Sequence, residues 1–286
     1  MKRSNISVLI NTYNEEKNIR NCLETVKWVN EIIIVDMHSE DRTVEIAKEY
    51  TDKIFYFENM GYADPARQFA LEQAVNEWIL VVDADELVPK RLRDKLLNIM
   101  DNDTADIAVI PRTNYFFGYL MEKTGWGALQ DGQPRFFKKN FITFSDKVHS
   151  IFNINSDARI YRIENSEEGF IHFNYIDVEH FLEKMNRYTT IEAKNMFNGK
   201  KNKPESMTKE IYYLIKEFGD RFFRRKGYRD GFYGFYLSVL MVAYRASSFL
   251  KLRIMEKYKA ADPGVYISQE YNNIVKNIID DYKTGR

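Results

Sequence analysis

Five short apolar runs punctuate roughly the first 110 residues, and each gives way to a polar turn and a helix-like stretch. They are Ile6 to Ile10, Ile32 to Val35, Ile54 to Phe57, Trp78 to Val82 and Asp106 to Ile110. Unbroken apolar runs of this length read as strands buried on both faces. Between them the period changes to that of a helix. Ile19, Cys22, Leu23 and Val26 share one face behind Asn14, a candidate cap with Glu15 and Glu16 in the first turn. Val44, Ile46 and Ala47 follow Ser39 or Asp41 as a cap, and Phe69, Ala70 and Ala74 follow Pro65. Leu92, Leu96, Leu97 and Met100 follow Pro89. This alternation predicts an α/β domain, a mostly parallel sheet flanked by helices on both faces. In such a sheet, ligands bind outside the carboxyl ends of the strands.

From Thr113 to about Glu179 the pattern changes to glycines and short aromatic segments, with mixed strands at Phe136-Phe137, Phe141 to Phe144, Ile151 to Ile154 and Phe170 to Phe173. Helical periodicity returns at Val178 and again over Met207 to Phe218, with Lys200 to Pro204 as a linker between them. The expected organisation is a sheet domain over 1–180, divided at 112/113, and a helical C-terminal region over 181–286. Apolar residues make up 44% of the chain, enough for a sizeable core. Forty-two basic residues balance 42 acidic ones, so no overall charge draws the chain to nucleic acid. Cys22 is the only cysteine, which excludes an intramolecular disulfide and fits a buried thiol in a reducing compartment. The first residues lack the apolar segment of a secretory signal, so the expected location is cytoplasmic.

Polar residues gather at the strand ends. Asn11 to Glu15 follow the first run, Asp36 to Thr43 the second, and Asp83-Ala84-Asp85-Glu86 the fourth, while Gly61 to Gln68 precede the fourth. Three carboxylates within four residues suit a hard divalent cation that also holds substrate phosphates, and equally suit the start of the Pro89 helix. The set as a whole fits a nucleotide. Tyr13 offers a stacking face, Asp36 an acceptor for a base N–H such as that of uracil, Arg67 a planar fork for a diphosphate, and Asp83 with Asp85 a cation clamp. Singly, each has a plain structural alternative: a packed aromatic, a turn residue, a solvated helix charge. Neither a Gly-x-x-x-x-Gly-Lys loop nor a Gly-x-Gly-x-x-Gly turn follows the first run, which weighs against an NTPase or a dinucleotide-dependent dehydrogenase.

Ser7-Val8-Leu9-Ile10-Asn11-Thr12-Tyr13-Asn14-Glu15, then Val35-Asp36 with Ser39, Asp41 and Thr43, then Ala66-Arg67-Gln68, then Asp83-Ala84-Asp85-Glu86, resemble in order and spacing a family-2 glycosyltransferase of the Rossmann-like GT-A fold. The resemblance implies inverting transfer of a sugar from a nucleotide diphosphate sugar, a UDP-hexose by expectation, with Mg²⁺ or Mn²⁺. It implies donor contacts at Thr12, Tyr13, Glu15, Asp36, Arg67, Asp83 and Ala84, and metal contact mainly through Asp85 beside Asp83. Residues 1–112 then bind the donor and 113–180 face the acceptor. Further on, Gln130 to Lys138, Val148-His149, His172 and Phe181 to Thr189 are similar to a bacterial branch that includes lipopolysaccharide-core β-1,4-glucosyltransferases.

In that branch the carboxylate before Gln-x-Arg-aromatic-Phe stands where a general base is expected, here Asp131. Gln130 and Pro134 depart from the commoner pattern, so the acceptor's identity is not carried over, and saccharide, lipid-linked and protein-linked acceptors stay open. The Gln-x-x-Arg-Trp motif of processive synthases is absent, which favours single addition. His172 is the expected metal or diphosphate contact. Glu86 (the rival base), Trp126, Gln133, Arg135 and His149 are expected on the acceptor side. Asn11 and His38 read as turn residues. A nucleotidyltransferase or sugar-nucleotide pyrophosphorylase would want a basic, Gly-rich loop where Asn11 to Glu15 stand; a non-catalytic sugar-nucleotide-binding module is the third reading.

Arg221, Arg224, Arg225, Lys226 and Arg229 precede a 13-residue run, Phe232 to Tyr244, broken only by Gly234 and Ser238. That falls short of the about 20 apolar residues of a membrane span. Cations beside an aromatic-rich helix fit residues 221–253 lying on an anionic membrane, at the inner face of the cell membrane. A buried helix or a homo-oligomer contact are the alternatives.

Overall fold

The computed structural model of the chain describes residues 4–59, 64–144 and 152–284. It divides into two compact units, Met1–Phe181 with Gly219–Ser238, and Leu182–Phe218 with Val239–Arg286. The strands of the first unit are β1 (Ser4–Thr12), β2 (Val29–Asp36), β3 (Ile54–Tyr56), β4 (Trp78–Val81), β5 (Glu86–Leu87), β6 (Ile107–Ile110), β7 (Arg112–Phe116), β8 (Tyr119–Leu120), β9 (Gln133–Lys138), β10 (Ile142–Phe144), β11 (Phe152–Ile154), β12 (Ile160–Arg162) and β13 (Phe170–Tyr175). Its helices include α1 (Ile19–Val26), α2 (Thr43–Ala47), α3 (Asp64–Gln73) and α4 (Lys90–Asp101).

The main sheet has seven strands in the order β12-β6-β9-β4-β1-β2-β3. β1 pairs in parallel with both β2 and β4, and β2 with β3. β12 is parallel to β6, and β9 runs antiparallel to β4 and β6. Side chains alternate across the strands, so the central strands feed two cores. Ile6, Val8 and Ile10 pack in one buried cluster with Cys22, Leu23 and Val26 of α1 and Leu92 and Leu96 of α4. Leu9, Ile33 and Val81 join the other with Ala66, Ala70 and Leu71 of α3. The expected mostly parallel sheet with helices on both faces is what the chain forms. Because the order runs outward from β1 in both directions, the topological switch point lies between β1 and β4, at the ends carrying Thr12 and Asp83.

One helix start differs from expectation. α1 begins at Ile19, not after Asn14. Asn14 adopts φ 55°, its N–H donates to Ser39 Oγ (2.8 Å), and its side-chain oxygen accepts from Glu40 N–H (2.8 Å). It therefore docks the loop after β1 onto the loop after β2, a task that takes it out of a helical cap.

The glycine-rich middle builds a second, four-stranded sheet in the order β5-β13-β7-β8. β13 is antiparallel to β5 and parallel to β7. A two-stranded ribbon, β10 with β11, completes the strands. The first unit also takes a later segment, the π-helical turn Gly219–Arg224 and the 3-10 turn Gly227–Asp230. Buried Asp230 there accepts from the N–H groups of Glu122 and Lys123 and from the Thr124 hydroxyl.

Helices α5 (Val178–Phe197), α6 (Met207–Phe218), α7 (Gly231–Tyr258) and α8 (Gly264–Thr284) supply the helical C-terminal region. In the second unit Ala193, Met196, Phe249, Leu252 and Met255 form a small core. Lys200 to Pro204 lies between α5 and α6 inside that unit, as the linker expected there. Among the described residues, no helix is long and apolar enough to cross a membrane.

Candidate active site

At the ends of β1 and β2, Thr12 and Asp36 are register partners. The Thr12 hydroxyl donates to Asp36 Oδ1 (2.9 Å), the Ser39 hydroxyl to the same oxygen (2.6 Å), and the Ser39 N–H to Oδ2 (2.8 Å). Asp36 is fully buried. It works as an internal hub holding two strand ends together. Tyr13, next along, is 37% exposed and keeps a face at the rim. Glu15 is tied down at both ends: its N–H donates to Thr43 Oγ1 (2.7 Å) and its carboxylate accepts from Asn18 (2.8 Å). His38, at φ 62° and stacked on Tyr56, is the turn residue expected.

Asp83 follows β4 and is gripped by arginines. Arg135 donates to both its oxygens (3.1 and 2.6 Å), and Arg67 to Oδ1 (2.9 Å). Burial pushes this carboxyl up, and the charges of Arg135 and Arg67 overcome that and hold it well below the usual carboxylate range. Its N–H donates to Glu86 Oε2 (2.9 Å), and its carbonyl lies 3.6 Å from the buried Cys22 thiol. Both Asp83 oxygens are taken up by guanidinium groups of the chain itself. Arg135, expected toward the acceptor, is buried and bonded to Asp83. Ala84 is buried in the core under β4.

Asp85 belongs to different surroundings, because its carbonyl accepts from Phe173 N–H (3.2 Å) at the edge of the second sheet. Its Oδ2 lies 3.4 Å from His172 Nε2. That is slightly longer than the about 2.7–3.2 Å of an N–H···O bond. His172 Nδ1 is 2.6 Å from Asn114 Oδ1. Among the described residues, no group of three or more His, Cys, Asp or Glu side chains could hold a metal ion. Asp85 and His172 are two side chains of metal-ligating type brought together at the edge of the second sheet.

Asp131 faces β7. Arg112 grips it through Nε (2.9 Å to Oδ2) and Nη2 (3.1 Å to Oδ1), Asn114 donates to Oδ2 (2.9 Å), and Gln133 donates to Oδ1 (3.3 Å). Burial acts to raise its pKa, and Arg112 with these donors more than reverses that, so it stays a carboxylate at neutral pH. Glu86 is fully buried between Asp83 N–H and Arg112 Nη1 (3.3 Å), with no surface to offer an acceptor. Trp126 carries the Arg221 guanidinium 4.4 Å above its ring and packs on Phe116. Its loop is tight: a Cβ on Gly127 would lie 1.9 Å from Glu122 O, so only glycine fits. His149 lies outside the described residues.

The sequence profile described as "Glycosyl transferase family 2" matches residues 7–170, more than half of the 286-residue chain. The chain belongs to glycosyl transferase family 2. Similar proteins include an uncharacterized glycosyltransferase of Rickettsia felis, 30% identical over 260 residues, covering 87% of this transferase and 89% of that one. The lipopolysaccharide core biosynthesis glycosyltransferase LpsC of Rhizobium meliloti is 28% identical over 246 residues, covering 80% and 85%. Among solved structures, S. aureus TarS 1-349 in complex with UDP-GlcNAc aligns over 98% of this chain and 92% of that one, with 19% identity and a TM-score of 0.48. Membership sets aside the pyrophosphorylase and binding-module readings. Sequence reasoning missed Arg112 and Asn114, which hold Asp131 and His172. The available signal was Arg-x-Asn just after Pro111, a spacing of two that puts both on one face of a strand.

Proposed function

We propose that this transferase moves a hexose, with inversion, from a UDP-hexose to a hydroxyl of a cell-envelope glycan or glycolipid, adding one sugar per encounter. What carries the reading is that Asn114 of β7 bonds both Asp131 and His172, and that His172 lies 3.4 Å from Asp85. The donor nucleotide lies across the β1 and β2 ends with Tyr13 against its base. Asp131 takes the proton of the acceptor hydroxyl as the new bond to the anomeric carbon forms and the bond to the diphosphate oxygen breaks. Asp85 and His172 would hold Mg²⁺ or Mn²⁺, which when bound offsets the charge on the leaving diphosphate. Trp126, stiffened by Arg221, walls the acceptor side. The relationship to LpsC supports an envelope-glycan acceptor.

Attachment to the inner face of the membrane belongs to the same proposal. Phe232 and Tyr236 at the start of α7 are 64% and 61% exposed, and Phe223 and Tyr228 are exposed beside Lys226 and Arg229. Aromatic rings ringed by cations suit an anionic lipid surface.

Asp131→Asn tests the core of the reading. Transfer should fall about 10²- to 10⁴-fold while calorimetric binding of UDP-sugar is kept. Transfer at the original rate removes Asp131 as the base, and binding of no UDP-sugar from a panel sinks the donor assignment.

A further inference from the structure

The side-chain amide of Asn114 stands between the two reactive halves of the site, and its partners fix which way it points. Asn114 is fully buried on β7. Its Nδ2 lies 3.0 Å from the Arg112 carbonyl, 2.8 Å from the Trp126 carbonyl and 2.9 Å from Asp131 Oδ2. Two of these are backbone carbonyls, which have no hydrogen to give, so the nitrogen end must face them. The oxygen end then faces His172 Nδ1, 2.6 Å away, from the register-paired position on β13. An amide oxygen only accepts, so Nδ1 carries the hydrogen of this contact. The lone pair of the neutral ring is thereby left on Nε2, which points at Asp85 Oδ2.

We infer that Asn114 is a positioning residue that presents His172 Nε2 to a divalent cation and, with the other end of the same amide, holds Asp131 in place for the acceptor. The inference rests on the reading of Asp85 and His172 as cation ligands. Partners of this kind, behind a ligating histidine, fix its tautomer and ring orientation. Here the same group also reaches the base, so cation binding and base placement share one side chain. Each function uses a different end of the amide, and the two can be separated chemically.

The test is Mn²⁺ affinity by electron paramagnetic resonance on the full chain with UDP, alongside transfer rate, for His172→Ala, Asn114→Leu and Asn114→Asp. Asn114→Leu removes both ends and should weaken Mn²⁺ binding about 10- to 100-fold, as should His172→Ala. Asn114→Asp keeps an acceptor for Nδ1–H, so Mn²⁺ affinity should stay near that of the unaltered protein. It also sets a second carboxylate against Asp131, so transfer should be lost. A merely structural asparagine would lower the melting temperature without splitting the two readouts. If Asn114→Leu binds Mn²⁺ normally while His172→Ala does not, the role of Asn114 is overturned and the cation site stands. Should His172→Ala bind Mn²⁺ normally, the cation site fails and the inference with it. Where Asn114→Leu does not fold, Asn114→Asp decides: loss of Mn²⁺ affinity to the His172→Ala level, or unimpaired transfer, overturns the inference.

Discussion

The carboxyl edge of the parallel sheet and the small sheet beside it use the same residue types in opposite ways. On the parallel edge, Asp36 is spent on Thr12 and Ser39, and Asp83 on Arg67 and Arg135. Two residues beyond Asp83, Asp85 has its backbone captured by β13 and its carboxylate aimed at a histidine. One acidic motif thus straddles two sheets, its first carboxylate an anchor and its second, on the proposed reading, a ligand. The proposed cation pair is set apart by geometry, Asp85 Oδ2 and His172 Nε2 lying 3.4 Å from each other.

The largest effect that could break this contrast comes from the two aspartates themselves. Asp83→Asn removes the carboxylate that Arg67 and Arg135 share and leaves Glu86 as the remaining acidic charge near Arg135, which should cost about 3–5 kcal/mol in denaturant unfolding. The lower end is expected, since the Asp83 side chain keeps 26% of its surface. Its Mn²⁺ affinity, measured where the variant is folded, should hold. Asp85→Asn should do the reverse, with stability nearly unchanged and Mn²⁺ affinity and turnover lost. A stable Asp83→Asn protein that no longer binds Mn²⁺ would restore Asp83 as a ligand and erase the contrast.

A second, intermediate effect concerns Asp131. A base must be deprotonated to act, so the acid limb of kcat/KM reports its pKa in the free enzyme. Arg112 holds that pKa below the ordinary value of about 3.9. In Arg112→Gln the carboxylate loses its cation while burial still raises its pKa, so the acid limb should move to higher pH. An acid limb that stays put in the variant would mean that the titrating base is another group.

How much of this was legible follows the same division. The parallel sheet was readable because its strands announce themselves as apolar runs such as Trp78-Ile79-Leu80-Val81. Its polar ends, Thr12, Asp36 and Asp83, were found for the same reason. Their partners were not, because Arg135 lies 52 residues from Asp83 and reaches it only through the antiparallel pairing of β9 with β4. The second sheet was nearly unreadable. β5 and β8 have two residues each, and β7 is Arg-Thr-Asn-Tyr-Phe, whose Arg and Asn interrupt any apolar pattern. That interruption is the site: Arg112 and Asn114 are polar because they hold Asp131. His172 was picked out by its chemistry, yet only the β13–β7 register reveals that Asn114 stands behind it.

The smallest effect lies on the donor edge and asks whether that edge only binds. Ser39 Oγ donates to Asp36 Oδ1 and accepts from Asn14 N–H, so one hydroxyl joins the loop carrying Tyr13 to the end of β2. Ser39→Ala removes both contacts but leaves Asp36 the Thr12 hydroxyl and the backbone N–H of residue 39. Asp36 therefore stays paired, and the loss should be about 1–2 kcal/mol, near the lower bound for a hydrogen bond to a charged group. Nothing in this change touches Asp131, Asp85 or His172. If the donor edge grips the nucleotide equally in ground and transition states, loosening Tyr13 should raise KM for the UDP-sugar severalfold and leave kcat unmoved. A fall in kcat at constant KM would mean that the loop after β1 tightens only as the diphosphate departs, and the division between a binding edge and a reacting sheet would have to be redrawn.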